Sequence, residues 1–223
     1  MEKDKKNGSY NPNGFGVQGQ WSPTSTLLPG TSTLTVNNAS LVINNSTKFN
    51  CIENFKSMTM TDCYYERPLT ATFDAAQGYV KNGTASVKGN LEIRKGYGII
   101  VGGIRVTKDN ANNIKTGISY DAASNTLKFN NGNVTGDNYG ILAYKDLNLY
   151  VSGTANYITS TKQHGILAYG DVNITGPGKG MSSMFINAYG QNCAGIYMNT
   201  SGKKLNVKNT TLSSRASSAS SYG

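Results

Sequence analysis

The chain has 223 residues, with 26 Gly, 14 Tyr, 15% charged residues and a formal charge of +9 from 21 Lys and Arg against 12 Asp and Glu. No window keeps apolar residues at i, i+3, i+4 and i+7 for three turns, which excludes a helical bundle. The short β-type runs between Asn, Gly and Thr indicate an all-β fold. Basic residues are scattered singly, apart from Lys3-Asp4-Lys5-Lys6 and Lys203-Lys204. With no Arg cluster and no nucleic-acid motif, the charge points to solubility or an acidic polymer and not to nucleic acid.

The first residues, Met1 to Gly8, carry no apolar run, so they form neither a signal peptide nor a membrane span. No membrane insertion is expected, and any export signal lies outside this chain. Residues 1–32 are polar and rich in Gly and Pro and read as a flexible leader, with Trp21 and Leu27-Leu28 as anchors. Cys51, Cys63 and Cys193 are too few for a disulfide framework and lack zinc spacing. Cys51 and Cys63 can pair if a turn joins them; buried free thiols are the alternative.

From Thr33 a short phrase recurs. Leu34-x-Val36-x-Asn38-x-x-Leu41 returns at Met58-x-Met60-x-Asp62-x-x-Tyr65, at Leu127-x-Phe129-x-Asn131-x-x-Val134 and at Leu205-x-Val207-x-Asn209-x-x-Leu212. Two alternating apolar residues fill a short strand. The Asn or Asp then caps a bend and tolerates left-handed backbone, and the next apolar residue turns back to the core.

A second signal is Gly-Ile, at Gly98-Ile99, Gly117-Ile118, Gly140-Ile141, Gly165-Ile166 and Gly195-Ile196. Each is followed by an alternating apolar pair, and the longest repeat runs from Asp137 to Gly176. There Tyr139 to Leu149 matches His164 to Ile174 at a constant offset of 25 residues. Self-similarity at such a period marks a solenoid. The expected fold is a right-handed parallel β-helix, with Pro177-Gly178-Lys179-Gly180 bulging from one corner. Residues 97–130 are an exception, because Val101-Gly102-Gly103-Ile104 and Tyr120 to Leu127 also read as β-hairpin turns. The chain ends where a further coil would begin, so it is expected to be cut within a longer repeat.

The stretches Tyr97 to Thr107, Gly117 to Asp121 and Thr126 to Asn131 resemble the opening of a repeat module in large bacterial surface proteins. Phe55 to Cys63, Pro68, Phe73-Asp74 and Gly78-Tyr79-Val80 resemble the close of a preceding module. The Gly-Ile coils are similar to carbohydrate-binding-like parallel β-helix domains, related in fold to pectate lyases. The resemblance covers about residues 33–223 and implies residues 33–96 as the end of one module and 97–223 as the start of the next. It also implies a secreted or cell-surface setting and neighbouring modules as partners. The calcium-binding carboxylate cluster and basic residue of the lyases have no match here.

Register stacking places Tyr139 over His164 and Tyr144 over Tyr169, either as a structural ring ladder or as a surface for a polysaccharide or host glycan. Asp146 and Asp171 share a repeat position, where they cap turns or, with backbone carbonyls, hold a calcium ion. No other cofactor is expected. His164 has no Ser or Cys partner at a telling spacing, so a catalytic triad is not indicated. Acid pairs for glycoside hydrolysis would come from Asp121, Asp137, Asp146 or Asp171. The leading expectation is a non-catalytic module for glycan binding, adhesion or spacing. The alternatives are a polysaccharide lyase or hydrolase and a phage fibre segment.

Overall fold

The structure is a computed structural model describing residues 16–19, 31–44, 47–178 and 180–217. The chain packs as two units, residues 1–95 and 96–223. No helix occurs among the described residues, and stacked parallel coils form a β-solenoid.

In the second unit the strands line up in three parallel ladders. On one face, here called the Tyr face, Tyr139–Ala143, His164–Ala168 and Ile196–Met198 pair in that order. On the next, the Asn face, Thr126–Asn130, the start of Leu147–Ser160, Val172–Thr175 and Leu205–Lys208 follow one another. The third face joins Asn133–Gly136, the end of Leu147–Ser160, Ser182–Tyr189 and Thr211–Ser217. The Pro177-Gly178 insertion lies in the connection from the second of these faces to the third.

The repeat read from sequence sets the register. Ile141 pairs with Ile166 and Ile166 with Ile196, while Leu149 pairs with Ile174 and Ile174 with Val207. Ile141, Ile166, Leu147, Leu149, Ile158, Ile174 and Ile186 are fully buried. Each contributes roughly 1.5–3 kcal/mol of transfer free energy. Leu205 and Val207, inward by register in the last described coil, remain 41% and 42% exposed. Burial of one rung is thus completed by the rung above it, as in other one-dimensional folds. Gly140 and Gly165 begin the Gly-Ile signal for a steric reason. A Cβ on Gly165 would press on Ile186 Cγ2 and on the Gly195 carbonyl.

Residues 97–121 depart from the parallel pattern. Ile99–Val101 runs antiparallel to Tyr139–Ala143 and returns through Gly102-Gly103, both at positive φ (54° and 81°), into Ile104–Arg105. A two-residue turn with both φ values positive suits the right-handed strand twist, which is why glycines stand there. Ile118–Asp121 is antiparallel to Thr126–Asn130. Gly98-Ile99 and Gly117-Ile118 therefore belong to hairpins and not to the coil column.

In the first unit Thr33–Asn37 lies parallel to Ser57–Thr61, with Leu34 opposite Met58 and Val36 opposite Met60. From Cys63 onward the strands turn antiparallel. Asn90–Lys95 pairs with Leu41–Asn44 and Cys63–Arg67, and Ala71–Asp74, Tyr79–Asn82 and Ala85–Ser86 form a meander. Local turn chemistry explains the change, since Asp74 Oδ1 accepts the Ala76 and Gln77 N–H groups and closes a hairpin before a coil can wind. The corner residues Asn38, Asp62, Asn131 and Asn209 all have positive φ, from 46° to 57°. Of the expected leader, residues 16–19 are described. Val17-Gln18 runs parallel to Ile52-Glu53, held also by a bond from Gln18 Nε2 to Glu53 Oε1 (3.0 Å). Trp21 and Leu27-Leu28 lie outside the described residues. All three cysteines are free thiols, and burial pushes Cys51 up to about 11.

One buried polar side chain pins three coils together. Asn156, with no exposed surface, accepts the Gly132 N–H (3.0 Å) and donates to the carbonyls of Ser152 (2.9 Å), Gly153 (2.9 Å) and Ser183 (3.0 Å). Asn156→Ala removes these four bonds from buried backbone groups and is expected to cost about 3 kcal/mol or more of unfolding free energy. Urea unfolding followed by circular dichroism measures it, and a loss below about 1 kcal/mol would contradict the pin.

Candidate functional site

Alternation along each strand of the Tyr face sends Ile141, Ala143, Ile166 and Ala168 into the core. Leu142, Tyr144 and Tyr169 therefore point outward and are half-buried, while Leu167, at the same alternation, is covered to 6% exposure. The Tyr144 and Tyr169 rings stack with centroids 5.9 Å apart and planes 10° apart. Tyr139 stacks on His164 (6.2 Å, 15°), and His164 on Tyr197 (4.6 Å, 21°). The structure thus brings the four ring residues read from sequence onto one face and adds Tyr197, which is 44% exposed. Tyr197 was not legible because its strand partner by register is Leu167; its ring leans back over His164. Offset stacks of this kind contribute about 0.5–1.5 kcal/mol per pair. His164 Nδ1 accepts the Ala194 N–H (3.0 Å), and burial lowers its pKa from the ordinary value.

Asp146 and Asp171 stand one coil apart at the corner between the Tyr and Asn faces. Asp146 Oδ1 accepts the Asp171 N–H (2.8 Å), and Asp171 Oδ1 accepts the Lys204 N–H (2.9 Å). Each carboxylate therefore caps the corner of the next coil, with Lys203 Nζ 3.9 Å from Asp146. Among the described residues no group of three or more His, Cys, Asp or Glu side chains is arranged to hold a metal ion. The other acids considered for hydrolysis are also engaged. Asp121 pairs with Lys128 (2.9 Å) and Asp137 with Lys162 (3.0 Å).

Two arrangements were not anticipated from sequence. On the Asn face, Asn148 Nδ2 donates to the Asn125 carbonyl (3.1 Å), Asn173 Nδ2 to Asn148 Oδ1 (2.9 Å) and Asn206 Nδ2 to Asn173 Oδ1 (2.7 Å). The signal was present in the 25-residue repeat, where Asn148 matches Asn173, but in so Asn-rich a chain it carried no weight. At the start of the solenoid, Tyr97 packs on Tyr120 with centroids 4.7 Å apart. Tyr120 donates to Asn125 Oδ1 (2.6 Å), and Lys145 Nζ lies 3.4 Å from its hydroxyl. Burial pushes Tyr120 up to about 12 and pulls the Lys145 ammonium below its usual range.

The lowered His164 pKa means the folded chain binds that proton less readily than the unfolded chain does. Its contribution to stability is present above the ordinary value of 6.5 and is lost as pH falls below it. Thermal unfolding should show a drop in midpoint through that window which His164→Gln removes; the same drop in the variant would exclude His164 as its source. Asp171→Ala should cost about 0.5–1.5 kcal/mol in urea unfolding, while Asp171→Asn, which keeps an acceptor, retains most of it. Equal losses in both variants would contradict the capping role.

No family model, no curated protein and no solved structure matches this chain significantly, so its function has to be read from the arrangement of its own side chains.

Proposed function

We propose that the chain is part of a non-catalytic, secreted or surface-attached solenoid that binds a glycan or host polymer along one of its faces. The observation that carries this reading is the outward alignment of Tyr139, His164 and Tyr197 in one row and Tyr144 and Tyr169 in the next. A polymer repeats along its length as the solenoid does, so many weak contacts of one kind add up along a shared axis. The apolar side of a pyranose ring is suited to aromatic surface, and the half-buried Leu142 adds apolar surface on the same face. The engagement of Asp121, Asp137, Asp146 and Asp171 in ion pairs or caps favours binding over hydrolysis. The resemblance of residues 33–223 to bacterial surface-protein modules supports the extracellular setting and the neighbouring modules.

A glycan array with the wild type and with the Tyr144→Ala/Tyr169→Ala double variant tests the reading. The expected result is binding to a subset of glycans that the double variant weakens by about tenfold. Absence of binding by both proteins across the array would remove the glycan reading.

A further inference from the structure

The Asn face carries a groove that the ring rows do not touch. Its volume is about 530 Å³, and Thr126 and Lys128, Asn148 and Tyr150, and Asn173 and Thr175 line it from three successive coils. Strand register turns these side chains into two rows along the solenoid axis. One row runs Thr126, Asn148, Asn173, Asn206; the other runs Lys128, Tyr150, Thr175, Lys208.

Each row offers a different chemistry. In the first, the amides are already oriented by bonds to one another and to the Asn125 carbonyl. Each amide group uses one of its two N–H bonds in this chain, so a second N–H on each of Asn148, Asn173 and Asn206 remains for a ligand hydroxyl or carboxylate. In the second row, the Tyr150 ring is 37% exposed and has no ring partner among the described residues. Tyr150 therefore has ring surface available to an apolar sugar face.

The strands of this face carry two lysines, Lys128 and Lys208, and one carboxylate, Asp121. Lys128 and Lys208 stand three coil steps apart, roughly 14 Å at the spacing of neighbouring strands. The Lys128 ammonium gives one of its three hydrogens to Asp121 (2.9 Å) and keeps two. Residues 96–223 hold eleven Lys and Arg against five Asp and no Glu. Lys203 and Lys204 lead directly into the strand that carries Lys208.

We propose that this groove is a second binding site, for an extended polysaccharide bearing carboxylate or sulfate groups and lying along the solenoid axis. The lysines meet the anionic groups, the amide row meets the hydroxyls, and Tyr150 packs against a sugar ring. A single-stranded nucleic acid fits less well, because its successive bases need successive aromatic faces and this row has only one. A protein partner fits less well because the groove is lined by amides, hydroxyls and lysine.

The site extends the polymer-binding reading above but does not use the ring rows, so the two can fail separately. The test is isothermal titration of the full chain with polygalacturonate, heparin, a neutral glucan of similar length and a single-stranded DNA oligonucleotide. Wild type should bind at least one of the two acidic polysaccharides, more weakly as salt rises, and the glucan and DNA at least tenfold less tightly. Tyr150→Ala and Lys208→Glu, both surface changes, should each weaken binding by about tenfold at unchanged melting temperature. Tyr144→Ala/Tyr169→Ala should leave that affinity unchanged. Equal binding of DNA or neutral glucan would overturn the proposal, as would wild-type affinity in the Tyr150 and Lys208 variants. Loss of binding confined to the Tyr144/Tyr169 variant would overturn it while leaving the Tyr face standing, and no binding of either acidic polysaccharide would overturn it too, the Tyr face being judged by the glycan array.

Discussion

The structure of residues 96–223 depends on each strand finding its hydrogen-bond partners in the coil before it and the coil after it. A short strand cannot satisfy its own backbone groups, and a coil of this size encloses too few apolar side chains to offset the ordering of its residues. Pairing between coils meets both needs at once. It satisfies the edges, and it lays Ile141 against Ile166 and Leu149 against Ile174 so that each rung seals the next. Where the chain bends between faces the ladder is interrupted, and side chains take over. Asn156 binds backbone groups of three coils, Ser160 Oγ donates to the Asn138 carbonyl, and Asp146 and Asp171 cap the N–H groups of the following corner.

The same constraint builds the outer surface. Because alternate residues of every strand point outward and the register is fixed, like residues accumulate in rows along the axis. On the Tyr face these rows are rings, which stack on one another and so serve the fold whether or not a ligand meets them. On the Asn face they are amides, hydroxyls and lysines. The amide chain is satisfied in one direction and leaves donors in another. A linear surface with a repeat along one axis is matched to a linear ligand, and this is the physical link between the solenoid and polymer binding.

The hairpins of residues 97–130 show how local chemistry competes with winding. Gly102-Gly103 permits the two positive φ values of a tight reversal, and Asp121 Oδ1 accepts the Ala123 N–H in the turn before Thr126. Both strands then add antiparallel to the first parallel strands of their faces. In the first unit, Asp74 and Asn82-Gly83 act similarly, and parallel pairing gives way to a meander. The coil corners at Asn131 and Asn209 turn on a single Asn in left-handed backbone, whereas the hairpin turns reverse the chain outright.

The 25-residue offset, the alternating pairs and the corner Asn residues were enough to give the all-β class, the parallel coils, the pairing of Ile141 with Ile166 and the stacking of Tyr144 on Tyr169. These are periodic properties, and a period along the chain becomes a column in space once strands are in register. The sequence alone could not say that Tyr197 would close a three-ring stack, which backbone N–H groups Asp146 and Asp171 would cap, or that Lys128, Tyr150 and Lys208 would fall in one outward row. Those outcomes depend on which way a side chain leans and on which face a strand occupies. Such choices are made by packing between coils that are distant in the chain, and only the tertiary structure decided them.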